Sequence, residues 1–203
     1  MTRRLRAAVD AADLPDVAFG PHDIVWWGTL VFVVIEGVTL ALSAVVYIYL
    51  SRNAEAWPPH GTPLPSLGYP TTQLVAMLSS LALARQLSLA ARRFDFARVR
   101  IWATAAAAAC GLFVALRMLE LLVSLNVRWD SNAYGSAQWL VVGTHGFLLL
   151  MQFVEMTGIA IAFWFAPVTA KHFSDADDAA FYWYFMVLAW VPLYALCFLT
   201  PRL

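Results

Sequence analysis

The sequence predicts an all-α polytopic membrane protein, built as a bundle of five transmembrane helices. Of its 203 residues, 62% are apolar and only 13% are charged, whereas about a quarter of the residues in a soluble domain are charged. A transmembrane helix needs roughly 20 mostly apolar residues, and five stretches of the sequence have about this length or more. The 13 basic and 13 acidic residues balance, so net charge gives no indication of a nucleic-acid partner.

The first two predicted helices differ in polarity. The first, 24–50, carries Glu36 as its only charge. The second, 69–91, can begin after Pro70, because proline is favoured in the first turn of a helix. Its polar residues predict that it faces protein more than lipid. These residues are Gln73, Ser79, Ser80, Arg85 and Gln86.

The last three predicted helices are also long apolar runs. The third, 101–125, is interrupted by Arg117 and Glu120. The fourth, 137–166, is long enough to tilt in the bilayer or to project from it. The fifth, 181–200, has no charged residue.

The chain is expected to form one membrane domain behind a short leader. Residues 1–23 lack the apolar core of a cleavable signal peptide. We therefore expect a cytoplasmic lead-in at 1–23 and a five-helix membrane domain at 24–203. No internal repeat is visible, which disfavours an inverted-repeat transporter.

Basic residues predict the orientation of the bundle. Eight of the 13 precede the first helix, join helices two and three, or join helices four and five. Since cytoplasmic loops are enriched in lysine and arginine, the N-terminus is expected in the cytoplasm and the C-terminus outside. Eight of the nine tryptophans, Trp183 among them, fall near predicted helix ends, as in an aromatic belt. The eight basic residues are Arg3, Arg4, Arg6, Arg92, Arg93, Arg98, Arg100 and Lys171.

Ionisable residues at membrane depth are candidates for a functional site, because a charge in the bilayer core is costly. One interpretation is a proton-accepting or lipid-headgroup-binding cleft. The alternative is that these groups hydrogen-bond across helices and lock the bundle. Arg117 and Glu120, three residues apart, can pair along one side of their helix. Glu155 has no lysine or arginine in its own helix. The full set is Glu36, Arg117, Glu120, His145 and Glu155.

Cofactor chemistry within this chain is not expected. Only His145 of the four histidines lies in the middle of a predicted span, and Cys110 and Cys197 belong to no metal-binding or redox motif. Haem or copper would require several such ligands. Nucleotide-binding and nucleophile motifs are also absent from the sequence. The sequence therefore predicts no metal site, no catalytic residue and no independent redox or hydrolytic enzyme.

Several short motifs resemble the third subunit of haem–copper respiratory oxidases. The segment 32–36, ending in Glu36, resembles that family's F-I-x-S-E motif. Arg117-Met118-Leu119-Glu120 stands where the family has Q-A-x-E-Y, and the segments 134–136 and 143–146 resemble its Y-G-S and G-x-H-G pair. The closing helix resembles W-Y-W-H-F-V-D-V-V-W. The loop after the first helix is similar to the family's W-P-P-x-G loop through Trp57, Pro58, Pro59 and Gly61.

The chain departs from the family pattern within the polar motifs. Leu148 replaces the second histidine of H-G-x-H, and Arg117 replaces the glutamine of Q-A-x-E-Y. Glu155 has no counterpart in the pattern. Glu36, Glu120 and His145 are kept, so the family's polar cleft is partly retained and partly rewired. Further replacements are Tyr184 for histidine, Val187 for aspartate and Ile35 for serine.

The resemblance implies an accessory, non-catalytic subunit of a proton-pumping terminal oxidase in a bacterial inner membrane. Haem and copper would lie in the partner, catalytic subunit I, and this chain would bind phospholipid and support proton uptake. Glu36 would be the carboxylate of the cleft, with Glu120 and His145 as polar partners. The basic residues facing anionic headgroups would be Arg92, Arg93, Arg98 and Arg100.

Three alternatives stay open at this stage. The departures are compatible with a subunit-III-like partner of a nitric oxide reductase. A self-standing ion or solute transporter would use the five membrane-depth residues as its path. An assembly factor would differ from a subunit only by leaving before the complex is mature.

Overall fold

The fold is a bundle of membrane-length helices. The computed structural model describes residues 24–202. Within this range 5 helices are long and apolar enough to cross a membrane, and no strand is present, which confirms the predicted fold class. The predicted lead-in at 1–23 lies outside the described residues. The helices are α1 (Ile24–Arg52), α2 (Gly68–Arg92), α3 (Phe96–Leu119), α4 (Ala133–Phe165) and α5 (Ala170–Tyr194).

Local chemistry accounts for several of the helix ends. At the tight turn between α2 and α3, Phe94 has a positive φ of 53°, and the Asp95 side chain accepts a hydrogen bond from the Arg98 N–H at 3.1 Å. Asn132 caps α4 in the same way, accepting from the Gly135 N–H at 2.8 Å. Such caps satisfy N–H groups that a helix start leaves unpaired. α3 and α5 each continue into a π-helical turn, Glu120–Ser124 and Ala195–Leu199.

The last helix begins at Ala170, well before the predicted start at residue 181. The Thr169 N–H donates to His172 Nδ1 at 3.1 Å, and the His172 N–H donates to the Thr169 carbonyl at 3.1 Å, so the first turn is capped reciprocally. The expectation counted apolar residues only, and it therefore treated the polar segment before 181 as a loop. Trp183 is accordingly not near a helix end: it lies inside α5, 4% exposed, and donates to Ser80 Oγ at 2.9 Å.

Helices α4 and α5 form the centre of the bundle. They pack against each other, and α1 packs on both of them. α2 packs on α3 and α5, and α3 also packs on α4. Helix α1 therefore lies at the periphery, with most of its large apolar side chains exposed. In a bilayer these side chains face lipid.

The polar residues of α2 only partly face protein. Gln73 and Ser80 are buried, and Gln73 Nε2 donates to the Phe113 carbonyl at 3.3 Å. The other three polar residues of this helix are exposed, contrary to the expectation. They are Ser79, Arg85 and Gln86.

Candidate functional site

A groove opens between the first half of α1 and the second half of α4, with α5 as its floor. Its larger section has a volume of about 470 Å³. An adjoining section of about 290 Å³ leads to the end of the bundle where α4 ends and α5 begins. The larger section is lined by Val25, Gly28, Thr29, Phe32, Glu36, Met151, Gln152, Glu155 and Tyr182.

Glu36 lies at the inner end of this groove, half-buried. Its carboxylate accepts a hydrogen bond from the Tyr182 hydroxyl, which is carried by α5. The expected polar partners were Glu120 and His145, whereas the observed partner is a tyrosine of the closing helix. A tyrosine hydroxyl donates one hydrogen bond, so the other oxygen of the carboxylate is available to the groove.

Glu155 and Gln152 approach the same groove from α4. Glu155 lines both sections of the groove and is exposed in it. Gln152 is 1% exposed, and its Nε2 donates to the Ala179 carbonyl at 3.5 Å. From α5, Asp175 and Asp178 line the section nearer the α4–α5 connection.

Arg117, Glu120 and His145 form a second cluster, in the core between α3, α4 and α5. Arg117 is 1% exposed and Glu120 0%, and the two side chains form the ion pair that their spacing predicts. Arg117 Nη2 lies 3.4 Å from His145 Nδ1, and His145 Nε2 lies 3.1 Å from the Met186 carbonyl. Because a guanidinium and a carbonyl fix these roles, Nδ1 accepts and Nε2–H donates, as in a neutral imidazole. The Arg117 guanidinium also lies 3.7 Å over the Trp190 ring.

A glycine makes room for this buried arginine. A Cβ on Gly146 would lie 2.7 Å from Arg117 Cγ. The second glycine of the G-x-H-G segment therefore allows α4 to pass close to the arginine stem. The residues predicted to form a single cleft thus divide into two sites: Glu36 and Glu155 line the groove, whereas Arg117, Glu120 and His145 are buried in the core.

The predicted headgroup residues lie at the α2–α3 turn. Arg92 forms an ion pair with Asp177 at 3.0 Å, and Arg98 forms one with Asp95 at 3.2 Å. Arg93 is exposed. Arg100 stacks on Trp164, its guanidinium carbon 4.3 Å from the ring centre.

The W-P-P-x-G loop closes the opposite end of the bundle. Trp57 packs edge-on against Tyr47 and Tyr134, with ring centres 5.3 and 5.2 Å apart. The Trp57–Pro58 bond is cis, and Gly61 has a φ of +83°, a conformation that glycine adopts without strain. The Thr62 N–H donates to the Pro59 carbonyl at 2.9 Å. These loop residues are therefore structural in this fold.

Sequence reasoning missed the contribution of α5 to the groove. Asp175, Asp178 and Tyr182 are spaced by three and then four residues, so a helix places them on one face. That periodicity was present in the sequence. It was missed because Asp175 and Asp178 lie in a charged segment before the apolar run at 181–200, and only the apolar run was predicted to be helical. Across residues 24–202, no group of three or more His, Cys, Asp or Glu side chains is placed to hold a metal ion.

Comparison with known proteins gives a consistent set of relatives. No family model matches the chain. A cytochrome c oxidase subunit 3 of Synechocystis sp. is 25% identical over an alignment that covers 98% of this chain and 86% of that protein. The protein of the same name from Thermostichus vulcanus is 24% identical, over 86% of this chain and 87% of its own length. A probable cytochrome c oxidase subunit 3 of Mycobacterium bovis is 28% identical, over 84% of this chain and 85% of its own length.

The geometry and these relatives point the same way. The described range contains five membrane-length helices, and the similarity to the relatives extends along most of the chain at low identity. The chain is therefore similar, across most of its length and at 24–28% identity, to proteins named cytochrome c oxidase subunit 3, which is consistent with a divergent member of that family.

Proposed function

We propose that this chain is an accessory subunit of a haem–copper oxidase that reduces oxygen and pumps protons in a bacterial inner membrane. The observation that carries the proposal is the match, over 84–98% of the chain, to proteins named cytochrome c oxidase subunit 3. The chain packs against the catalytic subunit, which holds the haem and copper, and itself carries no electron. Its N-terminus is cytoplasmic, because the basic residues around the α2–α3 turn, and Lys171 in the first turn of α5, lie at the end of the bundle where α1 begins.

Affinity purification of the tagged chain in mild detergent tests this function. We expect larger subunits to co-purify in fixed stoichiometry, with a reduced-minus-oxidised haem spectrum and oxygen consumption. A colourless homo-oligomer would contradict the proposal and favour a self-standing transporter. Nitric oxide reduction without oxygen reduction would assign the chain to the other class of parent complex.

Two further roles belong to the same proposal. The first is support of proton uptake, in which Glu36 is the proton-accepting carboxylate of the groove and Tyr182 holds it in place. The second is phospholipid binding at the α2–α3 turn, where Arg93 and Arg100 attract anionic headgroups. The rings of Phe96 and Trp164 flank Arg100 and hold its guanidinium at that end of the bundle.

Replacing Glu36 by glutamine should leave assembly intact and make oxidase activity decline progressively during turnover. The amide keeps the shape of the carboxylate and can still accept from Tyr182, but it binds no proton. The measurement is oxygen consumption of the purified complex as a function of the number of turnovers. We expect the activity half-life of the variant to be several-fold shorter.

Three further variants define the outcome. Glu55→Gln removes an exposed carboxylate of the α1–α2 loop and should leave the half-life unchanged. Tyr182→Phe removes the hydroxyl that holds Glu36 and should shorten it, whereas Tyr184→Phe, two residues away on α5, should not. A Glu36→Gln complex with an unchanged turnover record would remove the proton role and leave the accessory role standing.

A further inference from the structure

Three polar atoms around the buried ion pair of the core have no hydrogen-bond partner among residues 24–202. They are Arg117 Nε, Glu120 Oε1 and Trp190 Nε1. Arg117 is 1% exposed, and the other two residues are 0% exposed. The Arg117 guanidinium joins the three side chains, because it pairs with Glu120 and lies over the Trp190 ring. The unpartnered atoms therefore belong to one cluster in the core, separate from the groove at Glu36.

The histidine of this cluster cannot supply the partners. Arg117 Nη1 donates to Glu120 Oε2, and Arg117 Nη2 lies 3.4 Å from His145 Nδ1. His145 Nε2 lies 3.1 Å from the Met186 carbonyl, so neither ring nitrogen remains free. A buried ion pair is tolerated only when its remaining lone pairs and protons are also hydrogen-bonded. The cluster therefore requires one acceptor for its two N–H groups and one donor for its carboxylate oxygen.

A water molecule meets both requirements. Water accepts and donates hydrogen bonds at the same time, and buried waters in proteins typically make about three of them. At this site it accepts from the N–H groups of Arg117 and Trp190 and donates to Glu120 Oε1. Since a buried polar group without a partner is costly, a water that completes all three groups stabilises the cluster.

The backbone next to the cluster departs from α-helical geometry in two helices. Glu120 begins the π-helical turn Glu120–Ser124, in which the Leu125 N–H donates to the Glu120 carbonyl at 3.1 Å. A second π-helical turn, Ala195–Leu199, begins five residues after Trp190. Turns of this kind are rare and occur frequently at functional sites. Both helices that supply the unpartnered atoms are therefore locally adapted beside the cluster, which distinguishes it from uniformly packed core.

We propose that the core between α3, α4 and α5 holds ordered water bound by Arg117 Nε, Glu120 Oε1 and Trp190 Nε1. The water completes the hydrogen bonds of the ion pair at membrane depth, so it is part of the structure of the bundle and not of a transport path. Arg117 stands where the family pattern has glutamine, so the site follows from a departure of this chain. The inference does not depend on the reaction of the parent complex.

Hydroxyl-radical labelling by X-ray radiolysis tests this site with the chain in its native membrane. Radicals form from water in place, so a side chain beside a bound water is oxidised even where bulk solvent does not reach it. Trp183 is the matched control on the same helix, since it is 4% exposed against 0% for Trp190. Its indole N–H already donates to Ser80 Oγ at 2.9 Å. Mass spectrometry of the peptides from the isolated chain gives the oxidation rate at each tryptophan.

We expect Trp190 to be oxidised at least several-fold faster than Trp183, the reverse of the order that solvent exposure alone predicts. The double variant Arg117→Met/Glu120→Leu removes two of the three water ligands. In this variant the Trp190 rate should fall to that of Trp183. Trp129, which is 59% exposed, reports the rate in bulk water and should be unchanged.

Oxidation of Trp190 no faster than that of Trp183 in the parent chain would overturn the water site, and this measurement requires no variant. A Trp190 rate that stays high in the double variant would also overturn it, because the water would then not be held by the ion pair. Failure of the water site is distinguishable from failure of the proposed function. The rates are measured in the same way whether or not the chain co-purifies with a haem-carrying subunit.

Discussion

Replacing Arg117 by methionine should destabilise the folded bundle by about 3–5 kcal/mol, because it removes one member of a fully buried ion pair. Glu120 is 0% exposed, and its Oε2 would lose its charged donor, while His145 Nδ1 would lose the guanidinium beside it. Trp190 would also lose the cation over its ring. The measurement is the fraction folded during titration of the purified chain with a denaturing detergent, together with the yield of assembled complex.

Two controls separate burial of charge from loss of a side chain. Arg128→Met breaks the Arg128–Asp130 pair, whose arginine side chain is 78% exposed, and should change stability by no more than about 1 kcal/mol. The double variant Arg117→Met/Glu120→Leu should recover most of the loss, because replacing both members of a buried pair by apolar groups is often neutral. A single variant as stable as the parent chain would show that the pair does not hold the core together.

Gly135→Ala should destabilise the start of α4 by about 3 kcal/mol, at the upper end of the cost of overpacking. A Cβ at this position would lie 2.3 Å from the Arg128 carbonyl oxygen and 2.9 Å from Val127 Cγ2. The first of these is a backbone atom, so the clash can be relieved only by moving the loop that precedes α4. That movement would also disturb the bond from the Gly135 N–H to the Asn132 cap.

The matched control for this prediction is Gly143→Ala, on the same helix. A Cβ there meets no atom within 4 Å, and alanine is about 1 kcal/mol better than glycine in a helix interior. This variant should therefore be neutral or slightly more stable in the same detergent titration. Equal stability of the two variants would contradict the close approach of α4 to the loop at Arg128.

The positions of the membrane-spanning segments could be predicted from the sequence, because the lipid environment determines them. A stretch without charges must satisfy its own backbone hydrogen bonds in the bilayer, so apolar runs predicted the five spans closely. The predicted start of α5 was wrong because the first turns of that helix are polar and are stabilised by the cap between Thr169 and His172. Polarity alone does not distinguish such turns from a loop.

The candidate site shows the same division between local and distant information. Arg117 and Glu120 are three residues apart, so helical geometry alone predicted their pairing. The separation of Glu36 from Arg117 and Glu120 depends on which helices are neighbours: α1 packs mainly on α4 and α5, whereas Arg117 lies near the end of α3 and Glu120 begins the π-helical turn that follows it. No periodicity in the sequence contains that information.

The hydrogen bond from Tyr182 to Glu36 has a consequence for the synthesis and membrane insertion of the chain. The two residues are 146 positions apart. At about 5–20 residues per second, synthesis takes roughly 7–30 s to pass from one to the other. Through this interval α1 remains in the bilayer with its carboxylate and without its partner helix, and it is the most apolar of the five described spans by mean hydropathy. The hydrogen bond between Tyr182 and Glu36 can therefore form only when the last helix is inserted, so insertion of α5 completes the surroundings of this carboxylate.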